Sequence, residues 1–314
     1  MENKESPQII DVHQHCFPPE YLAVLKECDI KVAALMNAPL PDWSLESHLA
    51  GMDEASIATG FLSITGGFIY SRSLTRKCNE YFAKIISNHP SRLGAFAVLP
   101  FPDVDACLKE IEYAIDILKL DGIGLITNVQ GIYLGDPETT AIFDELNRRK
   151  QVVCIHPNDP PYGSLSKVKV PWAMIEFPLE TTRTLGYMLH GGILKRCPDI
   201  KFILPHAGGA LPYVAARYAN FGRNIKALTS FQSQYYDITG ATNRYTLASL
   251  QNFVDPSHIL FGSDFGMMGE NSMVAPTISI KELLEYQGFN KEDMRNVQRN
   301  NAINLFPRLK LYQT

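Results

Sequence analysis

His13 and His15 stand one residue apart at the end of the apolar run IIDVHQH. Side chains two apart on a β-strand share a face, so both imidazoles reach the same point where the strand stops. A soluble core gains little from two adjacent imidazoles, whereas a metal ion gains two nitrogen ligands. Three more such groups close later apolar runs: His156 in QVVCIHP, His206 in IKFILPH and Asp264 in HILFGSD. Imidazole and carboxylate together suit zinc, manganese or iron(II). A lone strand-end histidine is commonly structural, but five such groups at the ends of four strands are not explained by packing. The other histidines read as structural: His89 in a surface turn, His190 on a helix and His258 ahead of the last run. Cys16 follows the pair but alternates to the opposite strand face, so it is left out of the ligand set.

Elements that position these groups are visible as eight short apolar runs, at 8–15, 58–65, 93–100, 122–128, 151–157, 200–206, 235–239 and 258–264. Amphipathic helical patterns lie between most of them. In 103–119 Val104, Leu108, Ile111, Ile115 and Leu118 recur at helical spacing, and similar segments cover 139–150 and 179–198. Eight strands alternating with helices predict a parallel sheet, and eight is the number that closes an α/β (β/α)8 TIM barrel. An open doubly wound sheet is the alternative. In a barrel all five groups meet around the axis at the C-terminal face. Nothing divides the chain, so residues 1–314 are expected to form one domain. Two long segments, 16–57 and 158–178, follow strands one and five, where barrel loops shape a substrate pocket.

Of the 314 residues 46% are hydrophobic and 20% charged, an ordinary globular composition. The net charge of -4 and the absence of a basic run argue against a nucleic-acid partner. No apolar run reaches membrane-spanning length, and MENKESPQ has no signal-peptide core, so no membrane partner and a cytoplasmic location are expected. Six cysteines without a C-x-x-C pair read as free thiols in a reducing compartment.

The strand-end set, His13-x-His15, His156 in CIHP, His206 in PHAGG and Asp264 in FGSD, resembles the amidohydrolase superfamily. FPPEYL, GMDEASI, the ET of LETTRTL, FILPHAGGALPY and FGSDFG resemble its aminocarboxymuconate-semialdehyde decarboxylase branch, and FPLETTRTL with PHAGGALPYVAARY is most similar to 6-methylsalicylate decarboxylases. The resemblance implies that His13, His15, His156 and Asp264 hold one divalent ion, zinc or manganese, with no organic cofactor, and that His206 stands beside it as a catalytic or substrate-orienting base. The fourth run ends GLITN, without the lysine that bridges two metals in related hydrolases. One position departs from the branch. Its founder has an arginine for a substrate carboxylate five residues before the Asp of the M-D motif, where this chain has His48. That departure implies a monocarboxylate, with His48 as a candidate substrate contact.

Such an enzyme decarboxylates by first protonating the ring carbon that bears the carboxylate, which avoids an aryl carbanion. Asp264 is the expected proton donor and His206 its relay or the partner of the phenol oxygen. An apolar slot for the ring draws on Tyr162, Trp172 and Phe177 after strand five, Phe17 after strand one and Phe265 after Asp264. The expected reaction is 6-methylsalicylate to 3-methylphenol and CO2, in a homodimer or homotetramer acting on a small aromatic carboxylate. A hydrolase of a lactone or amide on the same scaffold stays open, because the ligands alone do not separate the two; a non-catalytic metal-binding scaffold would have no need of an intact, open site.

Overall fold

The computed structural model of the protein describes residues 9–28, 42–64, 71–163, 167, 170–222, 224–241, 243–266 and 288–312. Eight strands pair in chain order, each parallel to the next: β1 (Ile9–His15), β2 (Ile57–Ser63), β3 (Leu93–Ala97), β4 (Gly122–Ile126), β5 (Val152–His156), β6 (Lys201–Leu204), β7 (Tyr235–Asp237) and β8 (Ile259–Leu260). The segment after β8 returns to β1. Val12 N–H donates to Phe261 O (3.0 Å), Asp264 N–H to His13 O (3.0 Å) and His15 N–H to Phe265 O (2.7 Å). These bonds close the sheet into a barrel and exclude the open doubly wound alternative.

Strand positions match the eight apolar runs, with shorter ends; residues 8 and 65, and parts of the two long loops, lie outside the described residues. β1 carries a feature that alternation does not predict. Asp11 pairs with Gly60 and Gln14 with Leu62, so three residues of β1 oppose two of β2. A one-residue bulge of this kind shifts the faces beyond it. Ile10 and Val12 pack in the barrel interior, and His13 and His15 still turn inward above them.

That interior is filled from Ile10, Val12, Phe61, Phe96, Cys154, Ile203 and Leu260, and closed at the strand N-termini by the C-terminal segment. Phe306 lies 4.1 Å from the Phe61 ring and 6.0 Å from Phe96. Arg308 donates to Pro90 O (2.7 Å) and Leu93 O (2.8 Å) and pairs with buried Asp121, anchoring this plug at the starts of β3 and β4.

Helices cover the outside: α1 (Pro19–Glu27), α2 (Leu45–Glu54), α3 (Arg72–Asn88), α4 (Val104–Glu112), α5 (Thr140–Arg148) and α6 (Glu176–His190) among them. α2 starts where Ser44 Oγ accepts Ser47 N–H (3.1 Å) and α4 where Asp103 accepts Ala106 N–H (3.0 Å), the side-chain caps that free helix N-termini require. The expected helix 103–119 ends as a π-turn over Tyr113–Ile117, and the expected helix 179–198 starts earlier and breaks at Gly192, whose φ is 77°. Among the described residues no helix is long and apolar enough to cross a membrane.

Candidate active site

His13 and His15 end β1, His156 ends β5, and all three rings are buried. His206 and Asp264 do not end strands. β6 stops at Leu204 and β8 at Leu260, and each residue lies in the turn beyond, with φ of 54° and 67°. Left-handed backbone costs a non-glycine residue roughly 1 kcal/mol, so these turns are held by their surroundings. Gly208 and Gly209, at φ 73° and 66°, let the PHAGG turn continue in that region. Asp264 is fastened by its own N–H on His13 O and by its neighbour Ser263, whose N–H (3.1 Å) and hydroxyl both reach the Asp11 carboxylate.

The five side chains converge. One donor atom from each of His13, His156, His206 and Asp264 lies within 4.8 Å of every other. His15 Nε2 is 3.1 Å from His13 Nε2 and 2.7 Å from Asp264 Oδ1. Hydrogen bonding on the far side of three rings decides their tautomers. His13 Nδ1–H donates to Asp237 Oδ2 (2.9 Å). His156 Nδ1–H donates to Pro157 O (2.8 Å). Ser63 Oγ gives its single hydrogen to Gln14 O (3.0 Å) and therefore accepts from His15 Nδ1–H (3.0 Å). Three Nε2 atoms and the Asp264 carboxylate thus face one another, and in the neutral form of each ring that nitrogen offers a lone pair. Acceptors in that arrangement are satisfied by a cation, and imidazole nitrogen with a carboxylate is the donor set of zinc and manganese sites. His13, His15, His156 and Asp264 fit one divalent ion.

The electrostatics agree. Burial works to lower His13, but Asp237 and Asp264 push it up to about 10, the behaviour of a site that attracts positive charge. Burial lowers His15 and, with the neighbouring imidazoles, holds His156 well below the usual histidine range. Burial alone would raise Asp264, yet the imidazoles of His13, His15 and His206 packed around it hold it well below the usual carboxylate range. Its side chain is 39% exposed against 2% and 1% for His13 and His15, so Asp264 faces the open mouth of the barrel. His206 differs from the three anchored rings. Its Nε2 is 3.9 Å from Asp264 Oδ2, and its buried Nδ1 has no hydrogen-bond partner among the described residues.

His48 is placed differently from the expectation. It is 2% exposed, its Nδ1 accepts Trp43 Nε1–H (3.2 Å) and its Nε2–H donates to Gln14 Oε1 (2.9 Å). Gln14 in turn donates to Asp11 Oδ2 (2.8 Å). Burial, then the nearby His15, lower His48 to about 3, so a neutral ring with both nitrogens engaged backs β1 instead of meeting a carboxylate. Of the five aromatic candidates, Phe177 comes to the cluster, edge-on to His156 at 6.2 Å. Phe17 stacks on Tyr21 in the core (6.3 Å), and Phe265 packs against His48 (4.7 Å) and Gly51, where a Cβ would strike its ring. Trp172 is partly exposed in a short turn; Tyr162 is 42% exposed and donates to Glu176 Oε2 (2.9 Å). Both Phe17 and Phe265 lie beyond the ends of their strands and are packed into the core cluster on the helix side. Sequence reading missed Asp237 and Ser63, the partners of His13 and His15; a polar residue at the end of YYD and of IATGFLS was the signal available.

Comparison with known proteins places this geometry. The family described as Amidohydrolase matches residues 10–308. A 6-methylsalicylic acid decarboxylase of Penicillium expansum is 34% identical over 96% of this chain and 97% of its own. The 5-carboxyvanillate decarboxylase of Sphingomonas paucimobilis superposes with a TM-score of 0.84 at 17% identity, covering 96% of this chain and 99% of the other. A dihydroxybenzoic acid decarboxylase of a Polaromonas species, solved with bound manganese and 2-nitroresorcinol, superposes at 0.76 with 18% identity over 98% of both chains. With the match running over nearly all of its length, the chain belongs to the amidohydrolase family.

Proposed function

We propose that the protein is a metal-dependent, non-oxidative carboxy-lyase that converts 6-methylsalicylate to 3-methylphenol and CO2. The observation that carries this reading is the contrast between three anchored imidazoles and one unanchored imidazole. His13, His15 and His156 each fix Nδ1 on a protein acceptor and turn Nε2 to a common point with Asp264, a ligand set. His206 has no such anchor and stands 3.9 Å from the outer oxygen of Asp264, within reach of a proton exchange after a small approach. The full-length relative at 34% identity supports a lyase over a hydrolase.

A divalent ion held by His13, His15, His156 and Asp264 would supply Lewis-acid chemistry to the substrate. The protein does the rest. His206 passes a solvent proton to Asp264 Oδ2, the oxygen farther from the ring nitrogens of β1. Asp264 delivers it to the ring carbon bearing the carboxylate, the bond to the carboxylate carbon breaks, and its electron pair restores the aromatic ring. One proton enters and CO2 leaves, so no oxidant is needed. Phe177 offers an apolar edge beside His156 for the ring, and the neutral, engaged His48 leaves no cation there for a second carboxylate.

The reading takes residues 1–314 as one domain, supported by a family match over 10–308. Six free cysteines favour a reducing, cytoplasmic location. Exposed Met174, Ile175 and Leu179 at the start of α6 favour a homodimer or homotetramer, with zinc or manganese as the ion. The test is a panel of hydroxybenzoates and lactones offered to the zinc- or manganese-loaded protein. CO2 and 3-methylphenol from 6-methylsalicylate are expected; lactone hydrolysis with no CO2 from any salicylate would establish the hydrolase instead.

A further inference from the structure

Asp237, the last residue of β7 and fully buried, serves two parts of the site at once. Its Oδ2 accepts His13 Nδ1–H (2.9 Å), and its Oδ1 accepts the backbone N–H of His206 (3.0 Å) and of Thr239 (3.0 Å). We propose that Asp237 is a positioning residue that selects the metal-binding tautomer of His13, and that the two backbone donors on its other oxygen make this selection specific to a carboxylate. The inference rests on reading His13 as a metal ligand.

With hydrogen on Nδ1, His13 presents an Nε2 lone pair to the cluster, 3.3 Å from Asp264 Oδ1. With hydrogen on Nε2, that position is blocked to a cation. A carboxylate offers only acceptors and so permits only the first tautomer. In an Asp237→Asn variant the amide oxygen must take the place of Oδ1, because turning the NH2 there would set it against two backbone N–H groups. The NH2 then faces His13 Nδ1, makes that nitrogen an acceptor and moves the hydrogen to Nε2. In an Asp237→Ala variant nothing opposes Nδ1–H, and Thr239 Oγ1, 3.2 Å away, remains to accept it. The near-isosteric substitution is therefore the more damaging one for metal binding. A purely structural role gives the reverse order, since Asn keeps the shape and the two backbone bonds while Ala leaves a cavity and two buried unpaired N–H groups.

The experiment measures Zn2+ affinity of wild type, Asp237→Asn and Asp237→Ala by competition with a chromophoric chelator, thermal unfolding of the metal-free proteins, and the low-field proton resonance of His13 Nδ1–H. Zn2+ affinity is expected to fall about tenfold in Asp237→Ala and about a hundredfold in Asp237→Asn, the range found for partners of metal-bound histidines. Metal-free Asp237→Asn is expected to unfold close to wild type, and its Nδ1–H resonance to be lost. An Asn variant that binds Zn2+ at least as tightly as the Ala variant, or that keeps the resonance, overturns the inference while leaving the metal site standing. The resonance decides the matter alone if the Ala variant does not fold. A wild type that binds no Zn2+ overturns the site reading and the inference with it.

Discussion

Replacing His48 by alanine separates two roles that sequence alone leaves together. A substrate contact predicts a raised KM and an unchanged fold; a buried strut predicts the reverse. The structure favours the strut. His48→Ala leaves Gln14 Oε1, on a fully buried side chain, without its donor, and Trp43 Nε1–H, on a partly exposed one, without its acceptor. One buried unsatisfied group costs about 1–3 kcal/mol, water can replace part of the second loss, and the vacated ring adds a cavity term, for a total of roughly 2–4 kcal/mol. The entropy of unfolding, at about 2.1 cal/mol/K per residue, comes to roughly 0.7 kcal/mol/K for the 314 residues. The melting temperature should then fall by about 3–6 °C. Through Gln14 and Asp11 the same chain braces Ser263 and the turn of Asp264, so kcat should fall, by less than about tenfold, with KM for 6-methylsalicylate held within about twofold. Differential scanning calorimetry and steady-state kinetics on the metal-loaded variant check both halves. A KM raised more than about tenfold at an unchanged melting temperature would refute the reasoning and return His48 to the substrate pocket.

His206→Asn should keep one metal ion per chain by elemental analysis and lose about 10²–10⁴ in kcat, because its ring has no anchor that a ligand role requires; metal lost in proportion to activity would make it a ligand. Phe177→Ala should raise KM about tenfold with kcat little changed, from roughly 1.5 kcal/mol of lost apolar contact, and unaltered kinetics would remove Phe177 from the substrate slot. Asp159 lies beyond β5 with Oδ1 buried and unpartnered among the described residues, and burial pushes it up to about 6. Its pKa is higher folded than unfolded, so the folded state loses stability as pH rises from about 4 through about 6 and the charge forms. Asp159→Asn should therefore stabilise the protein by about 1–2 kcal/mol at pH near 8, after discounting for its partial exposure, and by nothing near pH 4; denaturant titrations at the two pH values that give equal differences would contradict this.

Strand ends carrying His or Asp were legible in the sequence because chemistry at a barrel mouth needs unusual residues there, and eight apolar runs were enough to count the strands. What governs orientation was not legible. The bulge between Asp11 and Gln14 is a matter of register with β2, and without it His13 and His15 would not share a face with Ile10 and Val12. The left-handed turns that hold His206 and Asp264 beyond their strands depend on partners far away in the chain, such as Asp11 and His13 O. Tautomer partners are equally distant: Asp237 is 224 residues from His13. His48 was read from motif spacing alone, which says nothing of Trp43 and Gln14 on either side of its ring. Phe17 and Phe265 lie within two residues of site residues in the chain, but both follow the ends of their strands, where the pleat no longer sets the direction of a side chain.

Protonation and decarboxylation of a salicylate by this cluster can be followed at the carbon that changes. The most direct measurement is to incubate the purified zinc- or manganese-loaded protein with 6-methylsalicylate in D2O, quantify CO2, and locate deuterium in the phenol by NMR. Equal amounts of CO2 and 3-methylphenol are expected, with a single deuterium at the carbon that bore the carboxylate. No CO2 from this or any other salicylate would contradict this, as would release of CO2 with deuterium at other ring positions only.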